Sequence, residues 1–107
     1  MADSECMKIR LKPGMTERFV TWARQVPHRV VEVAECKSDQ GILAEHIFLE
    51  RSAEGGFIIF YCQAEDMAKA REMLQKSKRR LDLEMIEMID ATWDRNHVSR
   101  LERIFEI

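Results

Sequence analysis

The run Phe57-Ile-Ile-Phe-Tyr-Cys62 is the longest apolar stretch of the chain and the feature that most restricts its fold. It is too short for a buried helix, and its β-branched and aromatic residues suit a strand. Alternation sends Phe57, Ile59 and Tyr61 to one side and Ile58, Phe60 and Cys62 to the other. A strand that is apolar on both sides must be covered on both. The preceding Glu54-Gly55-Gly56 supplies the turn chemistry of a hairpin, so a second strand pairs with it directly.

The remaining elements follow from periodicity. Met7, Ile9 and Leu11 alternate with Lys8, Arg10 and Lys12, giving a strand over 6–12 that stops at Pro13-Gly14. Thr16 is the expected N-cap of a helix whose buried stripe is Phe19, Trp22, Ala23 and Val26. Pro27 opens a second helical segment, since its missing amide hydrogen is not needed there. Val26, Val30, Val33 and Ala34 mark one face of that segment, and Gly41 closes it, although its valines would also suit a strand. A strand over 42–50 carries Ile47 and Leu49 on one face and Ala44, His46 and Phe48 on the other. Helices over 65–78 and 82–93 come next, the second with Asp82 as candidate cap. Residues 94–99 read as a loop and 101–107 as the last strand.

This order is a single α+β domain over 1–107, a ferredoxin-like βαββαβ unit with an extra helix before the last strand. Its helices cover one face of a four-stranded sheet. The other face would leave Phe57, Ile59 and Tyr61 bare, at roughly 150–250 Å² per aromatic side chain. Burying such groups is worth about 1.5–3 kcal/mol each. A second copy packed sheet to sheet is the simplest cover and makes a homodimer the expected state. A helix over 82–93 folded across that face is the alternative.

Composition narrows the functional classes. The formal net charge is −2 and the charges are interspersed, which gives no footprint for nucleic acid. No segment has the ~20 apolar residues of a membrane span, and the N-terminal residues lack the pattern of a signal peptide, so the expected location is cytoplasmic. Cys6, Cys36 and Cys62 match neither a disulfide framework nor a metal motif and read as small packed hydrophobes. The basic run Lys76, Lys78, Arg79 and Arg80 is either an anion patch or a solvated helix end.

Leu11-Lys-Pro-Gly-Met15, Glu35-Cys-Lys-Ser-Asp-Gln-Gly-Ile42, Ile47-Phe-Leu-Glu50, Gly56-Phe-Ile-Ile-Phe-Tyr61 and Ala64-Glu-Asp66 together resemble a bacterial family of uncharacterised dimeric α/β-barrel proteins. The resemblance implies the same fold and a dimer, and it brings no activity. The layout, including Val98-Ser-Arg-Leu-Glu-Arg-Ile-Phe105, is also similar to L-rhamnose mutarotases. Those enzymes use a tyrosine and a histidine on the first helix and a tandem tryptophan. The corresponding positions here are Trp22 and Val26, and the two tryptophans are isolated.

Candidate chemistry rests on histidine, whose ordinary pKa is near neutrality. None of His28, His46 and His97 has a second ligand at metal spacing, so no metal site is expected. His46 projects with Phe48 onto the face of Lys8, Arg10 and Tyr61. These five form the candidate ligand pocket, with His46 as base, Tyr61 as acid and Lys8 or Arg10 as anion clamp. His28 is a second-tier candidate at the mouth of that pocket. No phosphate loop or nucleophile elbow occurs, so any reaction is expected to need no cofactor. Three readings compete: a small-ligand binder, a cofactor-free isomerase or monooxygenase, and a structural or protein-interaction dimer.

Overall fold

The computed structural model describes residues 2–107. Its sheet has four antiparallel strands in the order β2-β3-β1-β4, with β1 at Asp3–Leu11, β2 at Ile42–Ser52, β3 at Gly55–Ala64 and β4 at Trp93–Arg100. β3 and β1 are therefore the interior strands, as the βαββαβ order requires. The α+β, ferredoxin-like layout holds, with helices α1 Thr16–Gln25, α2 Val30–Gln40, α3 Met67–Lys76 and α4 Arg80–Thr92.

The valine-rich segment is helical. A short 3₁₀ turn, Val26–His28, carries Pro27 in its first positions and hands over to α2. Gly41 ends α2 at φ 67°, a left-handed conformation that costs a glycine nothing. Asp66 caps α3 by accepting from the Lys69 amide at 3.1 Å, and Asp3 at the start of β1 accepts from the Met67 amide at 2.9 Å. Two expected caps are not used. Met15 is the N-cap residue of α1, without a side-chain bond, while Thr16 packs on Gly56 so closely that a Cβ there would meet its Oγ1 at 2.3 Å. Asp82 lies inside the first turn of α4 and bonds to side chains instead.

The C-terminal region departs most from expectation. The expected loop 94–99 belongs to β4, and the expected strand 101–107 has no regular secondary structure. The polar residues of β4 mislead because an edge strand needs only its backbone to pair, and β4 beyond Asp94 is exposed. The apolar tail continues beside β1, with the Leu101 amide donating to the Cys6 carbonyl at 2.9 Å and Arg103 to Ser4 Oγ at 2.9 Å. β1 ends there, and Ile104 and Phe105 stand 84% and 75% exposed with no strand left to pair.

The core lies between sheet and helices. Ile9, Leu11, Phe19, Ile58 and Trp93 form one cluster, joined by Met85 and Ile89 of α4. α4 thus packs with the other helices and does not fold across the open face. A second cluster, Cys62, Ala64, Met67 and Ala70, sits where α3 meets β3.

Candidate functional site

The register settles which residues share the open face. His46 pairs with Tyr61, Phe48 with Ile59 and Glu50 with Phe57, while across β3 Cys6 pairs with Tyr61, Lys8 with Ile59 and Arg10 with Phe57. Directly opposed residues point the same way. Lys8, Arg10, His46, Phe48 and Tyr61 therefore do lie on one face. The His46 ring stacks on Phe48 at 6.3 Å and sits 6.0 Å from Tyr61, centroid to centroid.

The cations gather elsewhere on that face. Lys8 pairs with Glu50 at 3.0 Å and lies 4.8 Å above the Phe57 ring. Arg10 donates to the Glu54 carbonyl at 2.9 Å, and its guanidinium is 6.0 Å from Phe57. Phe57 and Tyr61 are separated by four residues of β3, or roughly 14 Å of strand. Arg10 and His46 are thus at opposite ends of a broad surface on which Phe48 is 60% exposed. His28 is exposed on the turn between α1 and α2, in the helical layer.

The other side of the sheet holds a cavity of about 910 Å³ that sequence reading did not anticipate. It runs between the two core clusters, bounded by β1, β2 and β3 below and by all four helices above. Its walls are mainly apolar, with Phe19, Trp22, Ile47, Phe60, Met85 and Ile89 prominent. Its polar groups concentrate where α2, α4 and β2 meet: Cys36, Lys37, Gln40, Glu45 and Asp82, with Cys62 opposite Glu45 in register.

Asp82 is 5% exposed and fully engaged. It accepts from Gln40 Nε2 at 3.0 Å and from Ser77 Oγ at 2.6 Å. Burial pushes the Cys36 thiol up to about 11, assisted by the charge of Asp82 and a hydrogen bond to it. Burial likewise pushes Cys62 up to about 12, with Glu45 and Glu5 adding to the shift. Both thiols are therefore protonated and unreactive near neutrality. Glu45 lies on edge strand β2, where its side chain keeps solvent contact, yet the protein packed around its carboxyl raises its pKa. Lys37 opposes that shift and Asp82 adds to it.

A charged clamp joins the helices over this space. Arg29 bonds both oxygens of Glu84, at 2.8 Å each, and both of Glu32, while Trp22 Nε1 donates to Glu84 at 3.2 Å. These bonds hold the Glu84 carboxyl at about 2, the Arg29 contact being the larger cause. The basic run is mostly neutralised: Lys76 pairs with Glu72, Arg79 with Glu35 and Asp39, and Arg80 with Glu84. No group of three or more potential metal ligands occurs among the described residues. No helix among them is long and apolar enough to cross a membrane.

The cavity residues left only faint marks in the sequence. Glu45 breaks the apolar side of β2 that Ile47 and Leu49 continue, and Asp82 sits beside Leu81 on a buried helical stripe. A carboxylate on the buried side of an element is the signal that could have found them.

Among solved structures, the chain is similar to PA3566 from Pseudomonas aeruginosa, with 18% identity, a TM-score of 0.52, and coverage of 95% of this chain and 93% of that one. That likeness concerns the fold. No curated protein matches the chain. The model of the family of unknown function DUF6176 matches residues 2–105, nearly the whole length, and the chain belongs to that family.

Proposed function

We propose that this protein binds a small, largely apolar molecule in the cavity between its helices and its sheet, and that it does so as a homodimer joined through the open sheet faces. The observation that carries the ligand reading is the cavity itself. Its volume of about 910 Å³ falls within the roughly 300–1,000 Å³ typical of ligand sites. Apolar walls with polar groups gathered at one end are the usual composition of such sites. The homodimer rests on the open face, where Phe48 is exposed beside Phe57, Ile59 and Tyr61, and on the apolar tail beyond Arg103. A twofold pair covers both without any further partner.

A second reading keeps the ligand on the open face, where His46 lies between Phe48 and Tyr61. In a dimer the facing sheet would roof this cluster, and His46 and Tyr61 would be placed for cofactor-free acid–base work. A thermal-shift panel of small apolar and aromatic molecules separates the two. A ligand at about 100 times its Kd stabilises by roughly 2.7 kcal/mol, a rise on the order of 10 °C for a domain of this size. Under the cavity reading, Ala70→Phe abolishes the shift and His46→Ala leaves it. The reverse pattern moves the site to the open face, and an absence of any shift removes both.

A further inference from the structure

We propose that the molecule held in this cavity carries a hydrogen-bond-donating head, an amine or a hydroxyl, and that the cavity discriminates against carboxylate and phosphate heads. The inference rests on the cavity reading above and adds the chemical class of ligand.

Two carboxyl groups at the polar end carry it. Asp82 is 5% exposed and has no cationic partner among the described residues; neutral donors, Gln40, Ser77 and the Cys36 thiol, serve it in the first turn of α4. With its acceptor oxygens facing these donors and no ammonium or guanidinium bonded to it, it offers an anionic head nothing to pair with. Glu45 lines the same end and makes neither a hydrogen bond nor an ion pair with any described residue, so its acceptor oxygens are free for a ligand.

The cations of the lining do not reverse this balance. Arg71 is committed to Glu5, which also holds Arg100. Arg24 is exposed at the end of α1, away from the polar end of the cavity. Lys37 remains, one ammonium against two carboxyl groups. The remaining polar side chains there are the thiols Cys36 and Cys62, which are protonated, and the amide of Gln40, already donating to Asp82. An apolar body thus finds its place among Phe60, Met85 and Ile89, and a donor head finds the open acceptor at Glu45.

Three eight-carbon probes of matched length test the class: octylamine, octanol and octanoate, titrated calorimetrically at neutral pH into the intact protein, with an uncharged solvatochromic dye reporting separately on entry to the cavity. The expected order is octylamine first, octanol next and octanoate at least tenfold weaker than octylamine. Glu45→Gln, nearly isosteric on an edge strand, should cut the preference for amine over alcohol about tenfold while the dye still enters. Lys37→Met should widen the gap between octylamine and octanoate. Octanoate binding as tightly as octylamine while the dye enters overturns the head-group assignment and leaves the cavity reading standing. A dye that does not enter, with no binding of any probe, overturns both.

Discussion

Replacing Ala23 by leucine makes the space between helices and sheet reveal its sign. Ala23 lies on α1 against the main core cluster and lines the cavity. In a core packed to ordinary density, three added carbons force side chains off their rotamers and cost about 1–3 kcal/mol. Over a cavity of about 910 Å³ the same carbons meet empty space. Burying them is worth about 0.8 kcal/mol each, or about 2.4 kcal/mol in all. Fixing the leucine rotamer returns roughly 0.5–1 kcal/mol of that. Leucine is also a strong helix former, so α1 itself loses little. The net expectation is a gain of about 1.5 kcal/mol, read as a rise in Tm of roughly 6–12 °C for a domain of this length. The assay is urea or thermal unfolding of the ligand-free protein followed by far-UV circular dichroism. A loss of 1 kcal/mol or more would show that the helices close onto the sheet, and the ligand site would go with the cavity.

Three other outcomes are expected. Phe48→Asp, at a residue 60% exposed, should convert a sedimenting dimer into a folded monomer; a wild-type chain that is monomeric at tens of micromolar overturns the paired-sheet arrangement. The Glu84 carboxyl, held at about 2 against an ordinary value of 4.5, stabilises the fold above pH 4.5, and that contribution fades as pH falls from 4.5 toward 2. Glu84→Gln should flatten this acid limb when urea midpoints are compared at pH 6 and pH 3, and an unchanged slope would mean the Arg29 clamp does not form. Native protein treated with iodoacetamide at pH 8 should lose at most the Cys6 thiol within minutes, since burial raises Cys36 to about 11 and Cys62 to about 12; mass spectrometry showing rapid labelling of either would refute that burial.

Much of the fold was legible because it rests on local patterns. The alternation of Met7, Ile9 and Leu11 marked β1, the apolar run Phe57 to Cys62 marked β3, and the βαββαβ order placed both inside the sheet. Gly41 marked the end of α2, and the face shared by Lys8, Arg10, His46, Phe48 and Tyr61 followed from counting along strands. The C-terminal strand was misplaced because pairing energy resides in backbone groups that polarity does not reveal; Trp93 and Val98 to Arg100 pair with β1 across a bulge, while the more apolar tail beyond Arg103 has no strand to join. The cavity was invisible for a different reason. It is a property of how far α1, α2, α3 and α4 stand from the sheet, and residues such as Phe60 and Met85 look the same in sequence whether they touch one another or face a void. Only Glu45 and Asp82, charged where the pattern calls for apolar side chains, hinted that the interior is more than packing.

A void between two layers also sets how the molecule responds to hydrostatic pressure. Compression favours whichever state occupies less volume, and unfolding removes internal voids in rough proportion to their size. The space of about 910 Å³ between the layers, open at its rim, leaves the unliganded protein soft along the axis that joins sheet and helices. Squeezing should first narrow that gap and shift α2, the helix beside its polar end, while the hydrogen-bonded sheet stays intact. A molecule seated in the cavity would remove that compliance, so its occupancy can be followed as mechanical stiffening of the whole domain.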